Sequence, residues 1–338
     1  MYPNVSITIP CRNEDKYIEK CINSILNSDY PQEKIKIFVC DGLSADNTRD
    51  IVLELSKKHS NINLIDNEKQ TTPFALNLGL KASDCDIKII LGAHAEINKD
   101  FIKNNVTVLN DYPDVGCAGG IIENVYENEA AETIGLAMSS SFGVGNAHFR
   151  TGNKNGYVDT VAFGAYRKEV FEKIGYFDED LIRNQDDEFN YRLLKNGFKI
   201  YLNSQIISKY YVRASFSKLY KQYYQYGYWK VYVNKKHKAV TSVRQLVPLF
   251  FVLFLFLGFI LSIFHWVLGA LFSLGIISYV VLALVFASQK TNSIEKTARI
   301  TYTFFLLHFS YGLGYLIGIF DFIFLNKKPR NSSQELTR

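Results

Sequence analysis

Between Gln245 and Gln289 the chain carries no Asp, Glu, Lys or Arg. A bilayer core is crossed by ~20 predominantly apolar residues, so this run is long enough to cross twice. It predicts a helical hairpin of two spans, about 246–264 and 266–287, turning where His265 and Trp266 suit a membrane interface. Lys290–Arg299 follows as a polar, partly basic loop expected on the cytosolic side, and a third apolar segment, about 300–325, carries His308, Gly312, Gly314, Gly318 and Asp321. As a full span it would put Lys327, Lys328 and Arg330 outside, against the positive-inside tendency. A re-entrant or interfacial hairpin broken at its glycines is the alternative. The membrane region is thus 245–326, with a polar tail over 327–338.

The rest of the chain is of a different kind. Of 338 residues, 48% are apolar and 21% charged, which excludes a disordered chain. The net charge of +5 is too mild to argue for nucleic acid. Cys11, Cys21, Cys40, Cys85 and Cys117 are odd in number and form no CxxC or zinc-like spacing, so they read as reduced core thiols. MYPNVSITIP lacks the basic flank and apolar stretch of a secretory signal, which predicts a soluble part that stays in the cytosol.

Val5–Pro10, Ile35–Cys40, Ile62–Ile65 and Ile87–Leu91 read as strands. Helices are expected between them: one with its apolar face at Ile18, Cys21/Ile22 and Ile25/Leu26, one capped by Asp46, and one capped by Thr72 with Pro73 at its first position. Such alternation predicts an α/β domain over 1–208 with a mostly parallel sheet and its ligand beyond the carboxyl ends of the strands. Tyr126–Gly156, rich in Gly, Ser and Asn, is expected to be mobile loop around a short helix. Val161–Tyr166 returns to regular structure, and Asp186–Lys195 is a helix stopped by Asn196-Gly197.

Tyr201–Arg244 holds nine basic residues and no acid, interleaved with tyrosines, Phe216 and Trp229. Basic-plus-aromatic character suits single-stranded nucleic acid. Its position just before the apolar run favours instead interfacial helices over 209–244 in the headgroups of an anionic leaflet, with no nucleic-acid partner.

Ser6-Ile7-Thr8-Ile9-Pro10-Cys11-Arg12-Asn13-Glu14, Val39-Cys40-Asp41-Gly42 with Asp46-Asn47-Thr48, and Gln185-Asp186-Asp187-Glu188-Phe189-Asn190-Tyr191-Arg192-Leu193 resemble, in order and spacing, the motifs of family 2 glycosyltransferases. The resemblance covers about residues 4–230, and the basic aromatic stretch with its apolar tail is similar to succinoglycan-type membrane glycosyltransferases of bacterial exopolysaccharide assembly. It implies a GT-A (Rossmann-like) fold, a nucleotide-sugar donor, a UDP-sugar foremost, and inversion by direct displacement. The implied acceptor is a membrane lipid-linked saccharide, with other envelope-assembly proteins as further partners. The implied place is the bacterial inner membrane, with the catalytic domain in the cytoplasm.

On this footing Asp41 would accept a hydrogen bond from the donor's base, with Pro10, Arg12 and Glu14 as the adjoining wall. The family's D-x-D falls on Gly92-Ala93-His94, so Ala93 lines the donor and His94 stands where the metal-binding Asp is expected. An imidazole can bind Mn²⁺ but suits Mg²⁺ poorly. Glu96 is a second candidate ligand by alternation, and a His94 that hydrogen-bonds phosphates without metal is the alternative. Asp186 falls on the general base, with Asp187 as the alternative in register. Gln185 and Arg192 fall on the acceptor side, although Glu188 and Arg192 at i,i+4 could simply brace the helix. Gln222 and Trp229 occupy the place of a Q-x-x-R-W that lacks its Arg, which favours transfer of one sugar over processive synthesis. Transfer to polyprenyl phosphate is a rival reading, as is a non-catalytic nucleotide-sugar-binding scaffold, which Gly92 motivates. His148 and Arg150 could touch phosphate or be ordinary loop residues.

Overall fold

The computed structural model describes residues 2–152, 154–212 and 215–327. Arg213, Lys328 and Arg330, and with the last two nearly all of the 327–338 tail, lie outside the described residues. In chain order the elements begin with β1 (Val5–Cys11), α1 (Ile18–Leu26), β2 (Ile35–Asp41), α2 (Thr48–Lys58), β3 (Ile62–Asp66), α3 (Thr72–Ala82), β4 (Ile87–Ile90), β5 (Ala95–Ile97), α4 (Phe101–Asp111) and β6 (Val115–Val125). They continue with α5 (Glu129–Met138), α6 (Ser141–Val144), α7 (His148–Thr151), β7 (Gly156–Val158), β8 (Ala162–Arg167), α8 (Lys168–Ile174), α9 (Gln185–Lys195) and β9 (Lys199–Tyr211). The last helices are α10 (Phe216–His237), α11 (Val247–Phe264), α12 (Trp266–Ser288) and α13 (Ile294–Gly318).

These elements form two compact units. One comprises the chain up to Val125 together with Ala147–Tyr211, and the other comprises Tyr126–Asn146 together with the chain from Val212 onward. The first is a mixed sheet in the order β3-β2-β1-β4-β8-β6-β9-β5, with β7 beside β9. Its β3-β2-β1-β4 half is wholly parallel, and β8 then pairs antiparallel with both β4 and β6. All seven residues of β1 are buried, the mark of a strand covered on both faces. One cover is an Ile- and Val-rich core running from Val5 and Ile7 to Ile102 and Leu109, and the other is aromatic, with Tyr166, Phe171, Phe177 and Phe189. Gly79 lets α3 close on β1: a Cβ there would stand 2.5 Å from Thr8 Cγ2. All five cysteines are buried free thiols.

Two helix starts differ by one residue from expectation. The α2 cap is Asn47, not Asp46, yet Asp46 Oδ1 still accepts the Thr48 backbone N–H at 3.0 Å and the Thr48 hydroxyl at 2.5 Å. Thr71 precedes α3, with Thr72 first and Pro73 second. The expected mobile loop at 126–156 is a larger correction, since it contains three helices, α5, α6 and α7. Asn128 caps α5 by accepting the Ala131 N–H at 2.9 Å, and its small apolar residues are buried within the second unit.

In that second unit α11 and α12 form an antiparallel hairpin. A Cβ at Gly258 would meet Phe272 at 2.6 Å and one at Gly275 would meet Phe254 at 2.5 Å. Three helical stretches, Val243–Phe264, Trp266–Ser288 and Ile294–Phe324, are long and apolar enough to cross a membrane, which makes this a membrane protein. The third stretch is not broken at its glycines. Helix α13 runs unbroken past Gly312 and Gly314 and continues after Gly318 as a π-helical turn, Ile319–Phe324.

Candidate active site at the strand ends

The reversal of strand order lies between β1 and β4, whose crossovers lead to opposite sides, and the carboxyl ends beside such a reversal are where a sheet of this kind takes its ligand. The loops after β1 and β2 are stitched together there. Gly42 N–H donates to Cys11 O at 2.8 Å, Asn13 N–H to Ser44 Oγ at 2.8 Å, Ala45 N–H to Asn13 Oδ1 at 2.9 Å, and Glu14 N–H to Thr48 Oγ1 at 2.8 Å. Asn13 takes a left-handed backbone, φ 56°, which an Asn tolerates better than most residues. Asp46 also accepts from Asp15 N–H at 3.2 Å. Partial burial pushes its carboxyl up, but the Thr48 and Asp15 hydrogen bonds outweigh this and leave it below the usual value of 3.8.

Asp41 ends β2 with its side chain fully buried. Its Oδ2 accepts the Ser44 N–H at 3.0 Å and Arg49 Nη1 at 2.8 Å, and Oδ1 accepts the Ser44 hydroxyl. Arg49 also reaches Asp66 Oδ1 at 2.8 Å, at the end of β3, and its hydrogen bonds to Asp41 and then to Asp66 hold the guanidinium above its ordinary pKa. Asp66 is the more exposed acid, with 56% of its side chain accessible. Neither Arg49 nor Asp66 stands out in the sequence. The signal available is the pairing of Asp41 with Asp66 at the ends of adjacent parallel strands.

Across the strand reversal, His94 Nδ1 lies 3.5 Å from Glu14 Oε1, with side chains only 17% and 8% exposed. Glu14 follows β1 and His94 follows β4, so this contact joins the two loops on either side of the strand reversal. The His94 ring also packs edge-on against Tyr210 at 5.1 Å, and the Arg150 guanidinium lies 5.7 Å from the same Tyr210 ring. Helix α7 thereby brings Arg150 into a row with Tyr210 and His94. Glu96 accepts a hydrogen bond from Tyr211 and is not the acid beside His94. Ala93 and Pro10 are buried, and Arg12 is half-buried against Gly42. A Cβ at Gly92 would meet Phe163 Cε1 at 3.2 Å. Phe163 has φ 48°, a strained backbone for an aromatic residue, and its ring takes up space that an Asp at 92 would need.

Among the described residues no group of three or more His, Cys, Asp or Glu could hold a metal ion by itself. The donor set does fit an ion that arrives with a diphosphate. A carboxylate on one ring nitrogen orients a metal-binding imidazole and raises its basicity, the relation of Glu14 to His94.

Asp186 and Asp187 stand in the first turn of α9, after Asn184 in a left-handed conformation. Asp186 is exposed. Burial, then Cys117 and Asp186, push the Tyr166 hydroxyl far above its ordinary pKa, which puts the Asp186 charge within electrostatic reach of the aromatic core. Gln185 opens the helix. Arg192 is turned inward: it holds Glu188 with two bonds at 2.8 and 2.9 Å and also donates to Tyr176 O at 2.8 Å. Gln222 and Trp229 belong to α10 in the second unit. Trp229 is 1% exposed and Gln222 donates to the Tyr226 hydroxyl at 2.6 Å.

Residues 6–175 match the family model "Glycosyl transferase family 2", and residues 99–289 match "Glycosyl transferase family group 2". A dolichyl N-acetyl-alpha-D-glucosaminyl phosphate 3-beta-D-2,3-diacetamido-2,3-dideoxy-beta-D-glucuronosyltransferase of Methanococcus voltae is 39% identical over 76% of this chain and 81% of its own. The chain belongs to glycosyl transferase family 2. The succinoglycan biosynthesis protein ExoA of Rhizobium meliloti is 28% identical over 77% of this chain and 78% of its own. Among solved structures, a Pyrobaculum calidifontis mannosyltransferase in complex with GDP-Man and Mn²⁺ has TM-score 0.60 at 17% identity, covering 95% of this chain and 88% of that one. At such identity the likeness shows a GT-A-like fold alone. This family 2 glycosyltransferase therefore combines that fold with C-terminal helices long enough to cross a membrane.

Proposed function

We propose that this protein moves one sugar from a nucleotide-diphosphate sugar, UDP-linked, to a lipid-linked oligosaccharide at the cytosolic face of a membrane, with inversion at the anomeric carbon. The observation that carries this reading is the Glu14–His94 contact across the strand reversal, flanked by Asp41, Arg49 and Asp66. The base and ribose lie against the ends of β2 and β3, where Arg49 and Asp66 offer a donor and an acceptor. The diphosphate lies over His94, with Tyr210 and Arg150 beside it. Where a divalent ion accompanies the donor, His94 would be the residue to hold it, and the chemistry supplied would be neutralisation of charge on the leaving diphosphate. The acceptor hydroxyl attacks the anomeric carbon as its proton passes to Asp186; the bond from carbon to diphosphate oxygen breaks, and the nucleoside diphosphate leaves with the electron pair. The names of the Methanococcus and Rhizobium relatives support a lipid-linked acceptor and envelope or exopolysaccharide glycans.

Calorimetry of UDP binding to the detergent-purified protein tests the reading, with Mn²⁺, with Mg²⁺ and with chelator. UDP is expected to bind, more tightly with Mn²⁺ than with chelator, and His94→Ala should remove the difference. Nucleotide binding without sugar consumption on any lipid-linked acceptor would support the scaffold reading that Gly92 and Phe163 motivate. Absence of UDP binding would overturn the assigned donor.

A further inference from the structure

We infer that α13, although long and apolar enough to span, does not cross the membrane: it lies in the headgroup layer beside α10, so the chain crosses only twice, through α11 and α12. Four observations within the helical unit carry this.

First, α13 runs parallel to α10 and in backbone contact with it. A Cβ at Gly227 would stand 1.9 Å from Tyr311 O, one at Gly314 would stand 2.0 Å from Tyr224 O, and one at Gly318 would stand 2.8 Å from Tyr228 O. Phe216 meets Tyr302 at one end, and at the other Lys235 Nζ donates to Phe322 O at 2.7 Å. Tyr302–Phe324 therefore shares its depth with α10 along the full length of that helix. Helix α10 carries Lys218, Lys221, Lys230, Lys235 and Lys236, a load that hydrocarbon does not accept on one span.

Second, α13 meets the hairpin at its base. In a helix each residue rises 1.5 Å, so a span starting at Ile294 and returning beside the 23 residues of α12 would carry Gly312 most of the way to the hairpin tip at His265. Instead a Cβ at Gly312 would stand 2.0 Å from Pro248 O, at the start of α11, and His308 Nδ1 shares a hydrogen bond of 2.9 Å with the Tyr279 hydroxyl and packs its ring on Phe251. The outer part of the hairpin, around Phe254, Gly258, Phe272 and Gly275, packs on itself.

Third, the first turns of α13 are tied by ion pairs: Lys296 to Glu132 at 2.8 Å and Arg299 to Glu129 at 2.9 Å. Both acids lie on α5, a short excursion of the chain between two segments of the sheet unit. Fourth, Tyr302 and Phe320 are eighteen positions apart, five helical turns, and are 53% and 54% exposed. They mark an apolar stripe along the helix, turned away from Gly314 and Gly318, and 56% of the apolar window of this stretch is buried in protein against 11% for each hairpin helix. An apolar stripe flanked by lysines fits an anionic lipid surface.

The test uses the full chain in sealed membrane vesicles of known orientation and a membrane-impermeant maleimide, since the native cysteines are all buried. Single substitutions Asn292→Cys, Lys327→Cys and His265→Cys report the turn before α13, its far end and the hairpin tip. Labelling of positions 292 and 327 from one face and 265 from the other is expected; 327 labelling with 265 would overturn the inference. Spin labels at Tyr302→Cys and Phe320→Cys provide the second readout. Equal, shallow oxygen accessibility at both is expected, against a deep signal at Phe256→Cys, whereas a steep depth difference between 302 and 320 would mean a span.

Discussion

The strand-end loops of the sheet unit and the α10–α13 pair of the helical unit hold distant segments together by different means. In the sheet unit the loops beyond β1 and β2 are joined by polar bonds, such as Asn13 to Ser44 and Ala45, and each can be lost while its neighbours remain. In the helical unit, α10 and α13 meet at Gly227, Gly314 and Gly318 with no room for a side chain. Polar stitching leaves chemistry adjustable residue by residue, while glycine contact makes architecture all-or-none.

The largest effect expected is chemical and confined to the sheet unit. Asp186→Asn should lower sugar transfer by ~10²–10⁴-fold, the usual contribution of a general base, and leave UDP affinity and thermal unfolding unchanged. Transfer at the wild-type rate would move the base to Asp187. Next comes the helical unit: Gly314→Leu drives a side chain into the Tyr224 carbonyl and should cost about 3 kcal/mol or more, since overpacking of a rigid contact cannot relax. The expected outcome is loss of the α10–α13 pairing in detergent, read by cross-linking or proteolysis, with UDP binding retained. A parallel fall in UDP binding would show instead that nucleotide binding depends on the α10–α13 pairing. The smallest effect belongs to a stitch: Asp46→Ala should cost about 1 kcal/mol through its lost hydrogen bonds. The folded-state pKa of Asp46 is depressed, so its stabilisation is present above the ordinary value of 3.8 and lost as pH falls through the lower folded value. Acid unfolding of the wild type and of Asp46→Ala should therefore converge at low pH and diverge toward neutrality.

The parallel half of the sheet is legible in the sequence because its strands read as short β-branched runs closed by turn residues, as in Val5–Ile9 and Ile35–Val39. Asp41, Glu14 and His94 are legible as strand-end residues, but their partners are not. Glu14 meets His94, and Arg49 bridges Asp41 and Asp66, through contacts that depend on strand order rather than on spacing. The helices of 126–151 escape a reading by periodicity because α5 is built of small apolar residues with little polar face, and its partner is α13, far along the sequence. The third apolar segment is plain from hydropathy, yet hydropathy carries no record of what a helix packs against, and its glycines are contact points instead of breaks.

The excursion of α5 and α6 also sets an order of events during synthesis. Ala131, Ile134, Ala137 and Met138 leave the ribosome well before Ile294 and the helix that covers them exist. Until the hairpin has been inserted and α13 has followed, a nascent chain with a finished nucleotide-binding sheet still displays an uncovered apolar helix. A chain truncated after Tyr211 would retain that exposed helix permanently, and so would be expected to occupy chaperones or aggregate even though its sheet contains every strand it needs.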